Sequence, residues 1–230
     1  SVWFLLSFFS FSQVQENLLM ERFNMNAFNP AFVGTEGREV AFTSRSTWIG
    51  VADAPTTNYF FYSGGRKKNL SLGTSIISNQ IYIDTRTQYA LDASYQLEMG
   101  GGTNLYLGVK AGATSKKTDI EELERITQTA NPAISTNGNA LFPVFGFGAL
   151  LKGQKFYLSA SIPNFLNPIK FVKDDTFIGS EKPVTYLLAG TNINTGAFGS
   201  KLKPFVSARL NPNGENQMHL GGTFDYKNII

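Results

Sequence analysis

The chain has 230 residues, of which 42% are hydrophobic, 13% aromatic and only 16% charged. Its net charge of +3 is too small to argue for nucleic acid, and the absence of cysteine excludes a disulfide framework or a thiolate metal site. Few charges beside 20 Phe, 9 Tyr and 22 Gly point to β structure rather than helix.

The first stretch, Val2 to Phe11 (VWFLLSFFSF), is an uncharged apolar run. Its length fits a signal-peptide core and falls short of the roughly 20 residues that a membrane helix needs. Residues 1–12 therefore read as a partial signal peptide cleaved before Gln13, with a buried first strand or helix as the alternative. Gln15 to Phe28 can form a short amphipathic segment through Leu18, Leu19, Met20 and Phe23. It leads into Asn29-Pro30-Ala31-Phe32-Val33-Gly34. Proline fixes its own φ and moves the preceding residue out of the helical region, so Asn29-Pro30 is a turn. Gly34 and Gly37 then permit the positive φ of a sharp entry into the first strand.

From Glu39 onwards the chain reads as strands. Candidates are Glu39–Trp48, Thr57–Gly64, Leu70–Asn79, Tyr89–Glu98, Leu105–Thr114, Pro143–Lys152, Lys155–Ile162, Pro183–Ile193, Lys203–Leu210 and Gln217–Tyr226. In Tyr89–Glu98 one face is Tyr89, Leu91, Ala93, Tyr95 and Leu97, and the other Ala90, Asp92, Ser94, Gln96 and Glu98. Leu105, Leu107, Val109, Ala111 and Ala113 likewise oppose Tyr106, Lys110 and Thr114. Met218, Leu220, Phe224 and Tyr226 oppose Gln217, His219, Thr223 and Asp225. These segments have the roughly nine to eleven residues of tilted membrane strands, longer than the five or six usual in soluble domains.

Connections alternate in character. Gly64–Asn69, Gly100–Thr103 and Gly153–Gln154 are short, whereas Ile49–Thr56, Ser115–Phe142 and Pro163–Lys182 are long. Outer-membrane barrels place short turns in the periplasm and long loops outside. The expected fold is all-β, an antiparallel transmembrane barrel of the outer-membrane type with about ten strands here. The stretch Lys227-Asn228-Ile229-Ile230 lacks the terminal aromatic residue on which such barrels commonly end, so more strands are expected in the complete protein. Residues 13–38 are expected to be a periplasmic lead-in and 39–230 the barrel, cut short at the C-terminus. Within the longest loop, Thr118 and Glu121 suggest a capping box, followed by Ile120, Leu123 and Ile126 at helical spacing.

A second cluster closes the first strand: Trp48-Ile49-Gly50-Val51, then Ala54-Pro55-Thr56-Thr57. Trp48 stands where an interfacial aromatic belongs, while Gly50 and Pro55 shape a compact loop. This pattern reads either as a turn with an anchor or as a contact surface for a partner. The triplet Arg66-Lys67-Lys68 reads as a polar turn facing the periplasm, or as a dock for an acidic partner or phospholipid headgroups.

Little in the chain carries catalytic chemistry. His219, the lone histidine, is a polar-face strand residue without companion ligands. Asp119, Glu121, Glu122 and Glu124 lack the spacing of a calcium loop and suit a solvated helix face. No phosphate loop is present, and no catalytic residue, cofactor or metal site is expected. Gly146 and Gly148 lie within a strand, where they allow close backbone packing or a bend.

NPAFVG, a strand, then WIGV and APTT resembles the start of the PorP/SprF family, outer-membrane proteins of type IX secretion and gliding in Bacteroidetes. The resemblance extends from about Asn24 to Tyr226, with weaker echoes in Gly108–Gly112, Pro143–Gly148 and Ser161–Asn164. It implies a component without catalytic activity that helps export or retain large surface proteins such as gliding adhesins. The implied partners are other secretion subunits, the secreted client and outer-membrane lipid. Asn29, Pro30, Gly34, Trp48, Gly50, Pro55, Thr56 and Thr57 are its signature positions and the expected partner contacts. A porin-like or hydrophobic-solute channel is the competing reading, and a soluble extracellular β-sandwich adhesin a third.

Overall fold

The computed structural model describes residues 25–48, 50, 54–119, 140–166, 182–194, 200–212, 214 and 216–225. A one-turn helix, α1 (Met25–Phe28), and a 3-10 turn (Pro30–Phe32) precede the strands. These are β1 (Glu39–Ser46), β2 (Thr56–Ser63), β3 (Leu70–Ile81), β4 (Asp84–Gly100), β5 (Thr103–Thr118) and β6 (Ala140–Lys152). They continue as β7 (Phe156–Ile162), β8 (Thr185–Thr191), β9 (Ile193–Asn194), β10 (Lys201–Leu210) and β11 (Gln217–Asp225). Pairing is antiparallel and follows chain order from β1 to β8, then β10 and β11, with the two-residue β9 also on β10. Among the described residues β1 and β11 end this path and do not pair with each other.

Each expected strand is present. Pro183–Ile193 divides at Asn192 into β8 and β9. Tyr89–Glu98 and Leu105–Thr114 lie inside longer strands of 17 and 16 residues. The added residues, Asp84–Gln88 and Ser115–Thr118, are mainly polar on both faces. Backbone pairing continues there without any hydrophobic alternation to reveal it. The hairpin between β3 and β4 turns on Tyr82 and Ile83 alone, so this long-loop end also carries one tight turn. Thr118 is the last residue of β5 and donates its hydroxyl to the Asp84 carboxylate at 2.5 Å. The signal-peptide stretch, residues 15–24 of the amphipathic segment, Glu121 with the helix expected after it, most of the 163–182 connection and Tyr226 lie outside the described residues.

The strands sort their side chains in the reverse of a soluble sheet. Leu91 is 70% exposed and Leu220 82%, with Leu72, Leu107 and Val109 on the same outer face. On the inner face Ser71, Ser75, Asp92, Ser94 and Lys110 are buried. Apolar outside and polar inside is the pattern of a sheet that faces lipid. Among the described residues no helix is long and apolar enough to cross a membrane.

The sheet is curled around its own N-terminal segment. If flat, β2 and β8 would stand about 29 Å apart at ~4.8 Å per strand. Yet the Phe28 ring lies 5.0 Å from that of Tyr186 on β8. Five residues later, Val33 packs on Tyr59 and Phe61 of β2. A segment that short reaches both strands only if the sheet wraps it.

Candidate functional site

The NPAFVG motif forms the centre of this wrap. Asn29 caps the 3-10 turn, its Oδ1 accepting from the Ala31 N–H at 2.8 Å. The amide nitrogen of the same side chain donates to the Ala149 carbonyl at 3.1 Å on β6 and to Ser159 Oγ at 2.8 Å on β7. Only an amide supplies both the acceptor and the donors, and Asp at this position lacks the donor half. Pro30 occupies the first position of the turn, where a missing N–H costs nothing. Ala31 and Val33 are fully buried. Ala31 joins Tyr106 and Leu150 in one apolar cluster, while Val33 joins Ala27, Tyr59 and Phe61 in another.

Buried backbone groups need partners in place of water. Inner-face serines supply them. Ser94 Oγ donates to the Ala31 carbonyl at 3.1 Å, and Ser63 Oγ accepts the Gly34 N–H at 2.7 Å. Close seating also requires missing side chains beneath. A Cβ added at Gly108 would stand 2.1 Å from the Ala31 nitrogen, and one at Gly148 2.0 Å from Asn29 Oδ1. Gly148 thus permits the close packing expected of a glycine in that strand. Gly34, at φ 71, then turns the chain off the sheet towards β1.

The basic triplet divides. Lys67 and Lys68 are exposed at the tight turn where Lys67 and Leu70 exchange backbone hydrogen bonds. Arg66 instead folds inward. Its Nε donates to Ser71 Oγ at 3.2 Å, its Nη1 to Gln96 Oε1 and its Nη2 to the Val33 carbonyl at 3.5 Å. The guanidinium lies 4.7 Å from the centre of the Tyr106 ring, a cation–π distance.

Farther along the inner face, away from the short turns, Lys110, Asp92 and Ser75 form a closed triangle. Lys110 Nζ is 3.1 Å from Asp92 Oδ1 and 3.1 Å from Ser75 Oγ, while Ser75 donates to Asp92 Oδ2 at 2.9 Å.

WIGV…APTT lies at the opposite end of β1 from NPAFVG, so the two signature clusters are not brought together. Eight strand residues separate them, about 26 Å at ~3.3 Å per residue. Trp48 is exposed with φ 59, and Gly50 is exposed with φ 92. The Pro55 carbonyl accepts from the Thr47 N–H at 2.9 Å, closing the base of the loop. Thr56 and Thr57 are half-buried at the start of β2, opposite Ser46 and Arg45 of β1. Ile49 and Val51 lie outside the described residues.

The segment seated on the inner face and the loop beyond β1 are thus both built from the motifs singled out in the sequence. Over residues 11–230 the chain matches the family described as Type IX secretion system membrane protein PorP/SprF. The chain belongs to the PorP/SprF family. No curated protein and no solved structure matches it.

In this PorP/SprF chain His219 sits on the inner face of β11, opposite Ser207. Among the described residues no three His, Cys, Asp or Glu side chains gather as metal ligands. Asp119 is exposed, and the rest of the acidic cluster lies outside the described residues. The inward turn of Arg66 and the Lys110–Asp92 pair escaped the sequence reading. For the pair a signal existed. The triple-glycine turn at Gly100–Gly102 sets the β4–β5 register, and that register places Asp92 opposite Lys110. No comparable local signal marks Arg66, whose partners come from β3, β4, β5 and the N-terminal segment.

Proposed function

We propose that this protein is an outer-membrane subunit of the type IX secretion machinery that aids export or surface retention of a large client through protein contacts. The family supports the membrane and the secretion system. Against the channel reading stands one observation, the segment seated on the inner face. Asn26, Ala27, Asn29, Pro30, Ala31 and Val33 are buried on it, where a porin or solute channel needs a passage. Ser63, Ser94, Ser159 and Arg66 all hold this segment, which fits a scaffold better than a solute pathway or a catalytic pocket.

The contact surface for client or neighbouring subunits is assigned to the loop beyond β1. Exposed Trp48 and Gly50 form it with Pro55, Thr56 and Thr57. A bare turn needs only Asn, Asp and Gly, whereas this loop presents a tryptophan held in a left-handed conformation. The test replaces Thr56 and Thr57 by Ala in the producing cell. The variant is expected to reach the outer membrane at normal levels and to lose client display and co-purification of secretion subunits. Normal levels with full display and co-purification would reduce the loop to a turn. Stepwise conductance of the unmodified protein in planar bilayers would favour the channel instead.

A further inference from the structure

We propose that Arg66 is a latch on the seated NPAFV segment, and that a carboxylate-bearing protein surface recognised at the Arg66–Lys68 turn draws it off. The device needs only the seated segment and the turn beside it, and stands apart from the export reading.

Four partners hold the guanidinium: the Ser71 hydroxyl, the Gln96 amide oxygen, the Val33 carbonyl and the Tyr106 ring. All four are neutral. A carboxylate adds a full opposite charge that none of the four supplies, and it accepts the guanidinium fork in two-point geometry. The latch therefore lacks an opposing charge and yields to a partner that brings one. The segment's other side-chain contacts come from Asn29, Thr35, Ser63 and Ser94, so Arg66 is its one charged holder among the described contacts.

The surroundings attract such a partner. Lys67 and Lys68 follow Arg66 directly and are exposed, and exposed Arg38 lies across Gly65, where an added Cβ would meet its Cγ at 3.0 Å. The nearby Glu36 carboxylate is taken by Lys152 at 2.5 Å. Clustered cations raise the rate at which an acidic surface arrives and orient it on the turn. Once Arg66 turns outward, Val33 loses a backbone partner. Gly34 and Gly37, at φ 71 and φ 91, provide the hinge between the segment and β1.

The test uses the absence of native cysteine to report on the seat through one introduced thiol. Val33→Cys is smaller than the residue it replaces and sits where solvent does not reach. In the folded protein this thiol is expected to react slowly with a small maleimide. Adding Arg66→Gln should speed the reaction at least tenfold, and Arg66→Lys, which keeps charge but loses the fork, by less. Strand circular dichroism and heat-modifiable gel mobility confirm folding, and the Arg66→Lys pair decides the matter should Arg66→Gln not fold. Unchanged reactivity in a folded Arg66 variant would overturn the latch.

The partner arm adds a hexaglutamate peptide to the Val33→Cys protein. Acceleration that disappears in Lys67→Ser/Lys68→Ser supports an acidic protein surface. Acceleration by phosphatidylglycerol vesicles but not by the peptide would assign the turn to lipid and overturn the partner proposed here, as would no acceleration by either.

Discussion

Lys110 of β5 and Asp92 of β4 stand opposite each other on the inner face, with Nζ 3.1 Å from Oδ1 and both side chains wholly shielded from solvent. Two charges removed from water are tolerable only when paired and further hydrogen-bonded, and Ser75 provides the third side of that arrangement. Removing one partner leaves the other uncompensated. Asp92→Ala or Lys110→Ala alone should cost about 3–5 kcal/mol, whereas Asp92→Leu combined with Lys110→Met should recover most of that loss. Urea unfolding from lipid vesicles measures all three. Single variants within about 1 kcal/mol of the parent would show that the pair is not buried as described.

The outer face makes the opposite demand. Leu91 is 70% exposed in the middle of β4, where its environment is hydrocarbon if the sheet spans a bilayer. Leu91→Arg should then cost about 2–4 kcal/mol near the midplane, and Leu91→Ala much less. The fraction assembled in the outer membrane, read by heat-modifiable mobility, separates them. From sequence alone Lys110→Ala looks like a harmless change on the far face, and the buried ion pair removes it as a control. Equal assembly of the two Leu91 variants would argue for solvent, not lipid, on this face.

Orientation can be read chemically. Lys117 near the end of β5 and Lys67 in the β2–β3 turn are both exposed and lie at opposite ends of the sheet. With long loops outside, Lys117→Cys is expected to react with an impermeant thiol reagent on intact cells. Lys67→Cys should react only after the outer membrane is opened. Equal labelling of both on intact cells would reject this orientation.

What the sequence revealed was whatever repeats along one strand. Alternation in Tyr89–Glu98 and Leu105–Thr114 identified both strands and sorted their side chains into an apolar and a polar face, because that information is local and has period two. Strand ends were lost where both faces became polar, as in Asp84–Gln88. The Tyr82–Ile83 turn was lost because neither residue is a usual turn former. NPAFVG was visible as a motif, but its position was not. Asn29 finds its partners 120 and 130 residues away in sequence, at Ala149 and Ser159. Nothing near Asn29 in the chain announces that a sheet will close over it. Gly146 and Gly148 of β6 were visible too, as strand glycines that permit close packing or a bend; Gly108 of β5 was not read that way. What any of the three packs against was not visible.

That relationship gives the sharpest test of the seat. At Gly108 an added methyl would stand 2.1 Å from the Ala31 nitrogen and 2.4 Å from the Pro30 carbonyl carbon, both backbone atoms that cannot rotate away. At Gly148 the obstruction is the Asn29 side chain, which can turn aside at the expense of its bonds to Ala149 and Ser159. Gly222 serves as reference: it is exposed on β11, and the nearest atom to its added methyl is the Pro204 Cα at 3.5 Å, an ordinary contact. Gly108→Ala should therefore destabilise by about 1–3 kcal/mol through overpacking, with Gly148→Ala at the lower end of that range. Gly222→Ala should fall within about 0.5 kcal/mol of the parent. Amide exchange supplies the local readout. The Ala31 N–H, buried and bonded to Asn29 Oδ1, should exchange slowly in the parent and in Gly222→Ala, and much faster in Gly108→Ala. If all three exchange alike and unfold alike, the NPAFV segment does not rest on Gly108, and the sheet does not close around it.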